Sequence, residues 1–166
     1  MGYYMSKIWT KIFGKEYFNI LMIGLDGAGK NTILKKITNS TNVEHKRLNI
    51  KLYDLGGVCT NNCLYKQNFY NIDGLIFVID SNDKQRISEA SKYFEEINRK
   101  EELKSCPILI MANKQDYYCS LTQDEIIKIF NLKKYCNRKW CIKGISSLKE
   151  QGIEESILWM LSSLNE

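Results

Sequence analysis

The chain has 166 residues, about one domain's worth of core, and its apolar runs are far too short to span a bilayer. With 10 glycines, 1 proline, 44% hydrophobic and 26% charged residues, it is neither collagen-like nor disordered but ordinary for a soluble globular protein. The net charge of +5 is spread over scattered lysines, which fits a mild attraction to anionic surfaces and argues against nucleic acid as a partner.

Residues 1–16 read as an N-terminal arm. Met1-Gly2-Tyr3-Tyr4-Met5-Ser6 matches the M-G-x-x-x-[ST] pattern, which makes Gly2 a candidate for myristoylation. Tyr4, Met5, Ile8, Trp9, Ile12 and Phe13 fall on one half of a helical wheel, with Lys7, Lys11 and Lys15 along its edge. That is the pattern of an interfacial helix, a second signal beside an acyl chain that alone anchors only marginally. The same residues also fit an amphipathic helix packed permanently on the domain.

Residues 17–166 read as one domain in which strands and helices alternate. Phe18 to Gly24 is a buried strand, and Lys30 to Thr38 a helix with Ile33, Leu34 and Ile37 in register. Leu48 to Asp54 alternates as a strand. Gly74 to Asp80 and Pro107 to Ala112 are continuous apolar runs, as parallel strands covered on both faces require. A helix is predicted over Asp83 to Leu103. A Thr122/Glu125 capping box opens another running to Phe130. Lys139 to Ile145 is the last strand, and Ile153, Ile157, Met160 and Leu164 stripe a C-terminal helix. The order implies an α/β fold, a doubly wound and mostly parallel sheet whose ligands sit at the carboxyl ends of the strands. The six cysteines form no CxxC pair, and no signal peptide is read, so free and mostly buried thiols are expected.

Two motifs carry chemistry. Gly24-Leu25-Asp26-Gly27-Ala28-Gly29-Lys30 follows the first strand and opens the first helix, which is GxxxxGK in its required context. Its backbone N–H groups and the helix N-terminus suit phosphates, and Lys30 reaches the β- and γ-phosphates. The next position normally carries a hydroxyl that ligates Mg²⁺, but here it is Asn31. Thr32 points about 100° away round the helix. Asn113-Lys114-Gln115-Asp116 matches NKxD. An Asp116 carboxylate accepts both N–H donors of the guanine edge, which adenine lacks, so an ATPase or kinase reading is disfavoured. Ser146-Ser147-Leu148 follows the last strand, where a backbone N–H can reach the guanine oxygen.

GLDGAGK at 24–30, DLGG at 54–57, GLIFVIDSND at 74–83, ANKQD at 112–116 and GIEESILWML at 152–161 resemble the ADP-ribosylation factor (Arf) and Arf-like small GTPases over nearly the whole chain. The resemblance implies the small G-protein P-loop fold and GTP or GDP as ligand. It also implies exchange factors and effectors as partners, and a cytoplasmic, peripheral-membrane place in vesicle traffic, as at the Golgi. Gly57 joins the nucleotide-binding residues by this resemblance, and Asp54 borders the family's Mg²⁺ site with Asn31. Three departures stand out. Asn31 replaces a hydroxyl. Val58 stands where the family's water-orienting Gln belongs. About a dozen residues of the first switch, with its Mg²⁺-ligating Thr, are missing between Ile37 and Val43. There Val43-Glu44-His45-Lys46 resembles the stub of the next strand. Leu64, Tyr65 and Phe69 resemble the family's apolar partner surface but equally suit a core. Together these features imply weak or absent GTP hydrolysis, with no residue assigned as catalytic and Mg²⁺ poorly provided for. A pseudo-GTPase, held in one nucleotide state or sequestering an exchange factor, is the alternative.

Overall fold

A computed structural model describes residues 17–41, 43–55 and 69–166, without the side chains of residues 43, 44, 54 and 55. Among the described residues five strands form the sheet: β1 (Phe18–Leu25), β2 (Leu48–Leu55), β3 (Gly74–Asp80), β4 (Ile108–Asn113) and β5 (Trp140–Gly144). They lie in the order β2-β1-β3-β4-β5, and every pairing is parallel. The apolar runs at β1, β3 and β4 are buried along almost their whole length, because helices cover both faces.

On one face lie α1 (Lys30–Asn39) and α4 (Ile153–Asn165). Ile33, Ile37, Ile157 and Met160 meet Ile20, Met22, Ile76 and Leu109 there. On the other lie α2 (Ile87–Asn98) and α3 (Gln123–Ile129), where Phe94 packs edge-on against Phe77 and Phe130 at 5.0 and 5.4 Å between ring centres. The capping box is present: Glu125 N–H donates to Thr122 Oγ1, and Thr122 N–H donates to Glu125 Oε2. No described helix is long and apolar enough to cross a membrane.

Three readings of the sequence need correction: the bounds of one helix, the turn before β2 and the burial of the thiols. The long helix over Asp83 to Leu103 is shorter. Asp83 Oδ1 accepts from Arg86 N–H at 3.1 Å and holds a turn before α2, and a separate 3₁₀ turn spans Glu101–Leu103. Val43–Arg47 is a 3₁₀ turn rather than a strand stub, and it buries His45. The four described cysteines are free, but only Cys106 is buried; Cys119 and Cys136 are exposed. Phe69 is core, 5% exposed and edge-on to Tyr53. Leu64, Tyr65 and the amphipathic arm lie outside the described residues.

Candidate nucleotide-binding site

Three loops leave the carboxyl ends of β1, β4 and β5 side by side, because these strands share one parallel sheet with β3 between β1 and β4. The first loop carries Asp26, Gly27, Ala28 and Gly29 into α1. Gly29 caps α1 with φ +99°, a left-handed conformation that costs glycine little. A Cβ there would also stand 2.3 Å from Asn113 Nδ2, so any side chain would push the loops apart. No side chain caps the helix and its first turn holds no acidic residue, so the N–H groups opening α1 stay available to an anion. The buried Lys30 ammonium donates to the carbonyls of Gly24 (2.8 Å) and Leu25 (2.7 Å), folded across the loop. Asn31 is exposed at the second position of the helix and Thr32 is half-buried.

Asn113 ends β4 fully buried and ties the loops together. Its Nδ2 donates to Ala28 O at 2.8 Å and Ser147 Oγ at 3.1 Å, while its Oδ1 accepts from Ser147 N–H at 2.9 Å. Lys114 follows with φ +67° and donates to Asp80 Oδ2 at 2.5 Å. The Ser146 hydroxyl donates to Asp116 Oδ1 at 2.6 Å, and this bond holds the carboxyl below its ordinary value. Asp116 is thus favoured in its ionised form, as a hydrogen-bond acceptor. Its ionised form is favoured above its ordinary titration range and is lost as pH falls through the lowered value. Ser146→Ala should therefore shift the acid loss of guanine-nucleotide affinity to higher pH. A pH profile of GDP affinity checks this, and unchanged acid limbs would contradict it.

Asp80 and Arg86 escaped the sequence reading. Asp80 pairs across β3–β4 with Asn113, which places its carboxylate beside Lys114. Arg86 donates to Asp26 Oδ1 at 2.6 Å and to Glu89 Oε2 at 3.0 Å, and its guanidinium holds the Asp26 carboxyl below the usual range. It thereby offsets a carboxylate sitting in a phosphate loop. The only sequence signal was a terminal Asp on an apolar run for the first, and none for the second.

Magnesium fits these residues poorly. It demands near-ideal octahedral oxygen coordination. At the helix opening the chain offers the longer amide of Asn31 in place of a hydroxyl. The Asp54 side chain, Gly57, Val58 and Gly2 lie outside the description.

The model of the ADP-ribosylation factor family matches residues 5–164. ADP-ribosylation factors K and J of Dictyostelium discoideum are 35% and 34% identical, each match covering 98% of this chain and 93% of the relative. The Arl6 BBS3 small GTPase of Trypanosoma brucei, solved with the nucleotide analogue GppNp, superposes with a TM-score of 0.77 at 24% identity. That match covers 89% of this chain and 97% of the other. The five-stranded parallel sheet with its phosphate loop is thus the small G-protein P-loop fold, and the chain belongs to the ADP-ribosylation factor family of small GTPases.

Proposed function

We propose that this chain binds GDP or GTP as a membrane-associated Arf-type G protein and hydrolyses GTP weakly or not at all. One observation carries the binding: the buried Asn113 joins the phosphate loop at Ala28 to the base-reading loops at Asp116 and Ser147. Asp26, Gly27, Ala28, Gly29 and Lys30 hold phosphates, with Asn31, Thr32 and Gly57 at their border. Asn113, Lys114, Asp116, Ser146 and Ser147 hold the base. Family membership supports guanine as that base and exchange factors or effectors as partners.

Weak hydrolysis rests on three features of the sequence. Val58 offers no polar atom to an attacking water, Asn31 lacks the hydroxyl, and the first switch is truncated. Electrostatic clamping supplies most of the rate in phosphoryl transfer, and these positions provide little of it. Single-turnover assays should show GTP and GDP bound in preference to ADP, with hydrolysis at or below about 10⁻⁴ s⁻¹. Absence of guanine-nucleotide binding would sink the reading, and brisk turnover would sink its second half.

The arm at 1–16 is the membrane signal in this reading and 17–166 the GTPase domain, with Golgi-type vesicle traffic as the setting. Gly2→Ala and Trp9→Glu should each move the protein from membranes to the soluble fraction. Unchanged partitioning of both variants on flotation would instead make the arm a packed structural helix.

A further inference from the structure

The loop from Gly24 to Lys30 is built to receive an anion, yet it carries one carboxylate of its own, that of Asp26. Its side chain is 59% exposed, so burial does not hide the charge. A carboxylate beside a phosphate chain opposes binding, and the opposition grows with each phosphate added. The Arg86 guanidinium chiefly, and the Lys30 ammonium to a lesser degree, hold the Asp26 carboxyl below the usual range. Asp26 and Lys30 therefore share one neighbourhood, which in a GxxxxGK loop is that of the outer phosphates.

Arg86 answers this charge from 60 residues away. It stands in the turn before α2, where Asp83 Oδ1 accepts from its backbone N–H. Its guanidinium is forked between loop and helix: Nη2 donates to Asp26 Oδ1 at 2.6 Å and Nε donates to Glu89 Oε2 at 3.0 Å. The pair lines a cleft with Leu25, Val78, Ile87 and Ala90 whose volume is about 10 Å³, the least that a water needs. The arginine stem is thus packed against apolar side chains rather than free to swing, and it fixes where the Asp26 carboxylate points.

We infer that Arg86 sets which guanine nucleotide the site keeps, by turning the Asp26 carboxylate towards α2 and away from the outermost phosphate. The inference rests on the guanine-nucleotide binding proposed above. An exposed ion pair of this kind adds little to stability. Its effect on a neighbouring triphosphate is greater than on a diphosphate, because the third phosphate brings further negative charge to the place where Asp26 stands. With Arg86 present the carboxylate is neutralised and GTP is admitted beside GDP. Without it the loop discriminates against GTP. Arg86 is a positioning residue in this scheme, since it acts through Asp26.

The test measures the affinities of fluorescent GDP and of a fluorescent non-hydrolysable GTP analogue for the full chain, and reads their ratio. Arg86→Met keeps the apolar stem and removes the charge, and it should shift the ratio about threefold to tenfold against the GTP analogue. Arg86→Lys, which retains the charge, should stay near the parent. Asp26→Asn should shift the ratio towards the GTP analogue. In the Asp26→Asn background Arg86→Met should lower the ratio no further than about twofold below the parent's. A ratio unmoved in Arg86→Met, even with both affinities lowered alongside the melting temperature, would make Arg86 a structural cap of α2 and overturn the inference. So would an equal shift against the GTP analogue, relative to the parent, in the double variant, because the effect would not pass through Asp26. Failure of the parent to bind either nucleotide would overturn the functional reading and this inference with it, whereas binding with an unmoved ratio overturns this inference alone.

Discussion

Asp116→Asn should transfer base preference from guanine to xanthine. Guanine presents two donors on this edge, N1–H and its exocyclic amino group, and an ionised carboxylate accepts both. An amide presents one acceptor and one donor, which complements the N1–H and C2 carbonyl of xanthine instead. The Ser146 hydroxyl, 2.6 Å from Asp116 Oδ1, can turn to serve either side chain, so the loop itself should persist. The amide keeps one acceptor and sets a donor against the other guanine N–H, so loss of one charged hydrogen bond at about 1.5–3 kcal/mol corresponds to a fall in GDP affinity of roughly one to two orders of magnitude. Competition between GDP and xanthosine diphosphate on the variant reads the result directly. A variant that kept its parent's GDP affinity would place the base elsewhere.

The second large effect is expected at Asn113. Its amide is buried and makes three hydrogen bonds across loops that lie far apart in sequence. Asn113→Ala leaves Ser147 N–H and the Ala28 carbonyl without their partner and opens a gap beneath Gly29. Stranded buried groups cost about 1–3 kcal/mol each, so stability should fall by about 3–5 kcal/mol, or roughly 6–20 °C in a chain of this size. Nucleotide affinity should fall with it, because phosphate and base loops lose their common support. Asn113→Asp separates the two roles: it keeps an acceptor for Ser147 N–H but sets a carboxylate oxygen against the Ala28 carbonyl. Thermal unfolding with and without GDP distinguishes them, and a melting temperature unchanged in Asn113→Ala would contradict the tie between the loops.

The strands were legible because both-face burial leaves continuous apolar runs, and Gly74–Asp80 appears with the predicted bounds. The Thr122/Glu125 box was legible because its chemistry is local. The ends of α2 were not, since apolar spacing is blind to the Asp83 turn and to the break after Asn98. The turn over Val43–Arg47 was misread for the same reason: a short polar stretch carries no periodicity, and the burial of His45 is tertiary. In the candidate site, GxxxxGK and NKxD could be read as motifs because each is contiguous. Their joining through Asn113 could not, nor could the Lys114–Asp80 and Arg86–Asp26 pairs. Those partners are 34 and 60 residues apart and leave no local pattern.

The most direct test of the proposed guanine-nucleotide binding without a competent magnesium site is the release rate of a fluorescent GDP analogue before and after adding a chelator. In an ordinary small GTPase the metal bridges phosphate oxygens and protein hydroxyls, so its removal loosens the nucleotide. In the proposed reading Asn31 and the shortened first switch supply neither hydroxyl, while Lys30 and the N-terminus of α1 hold the phosphate. Release should therefore change little on chelation, and many-fold acceleration would contradict the account by revealing a competent magnesium site.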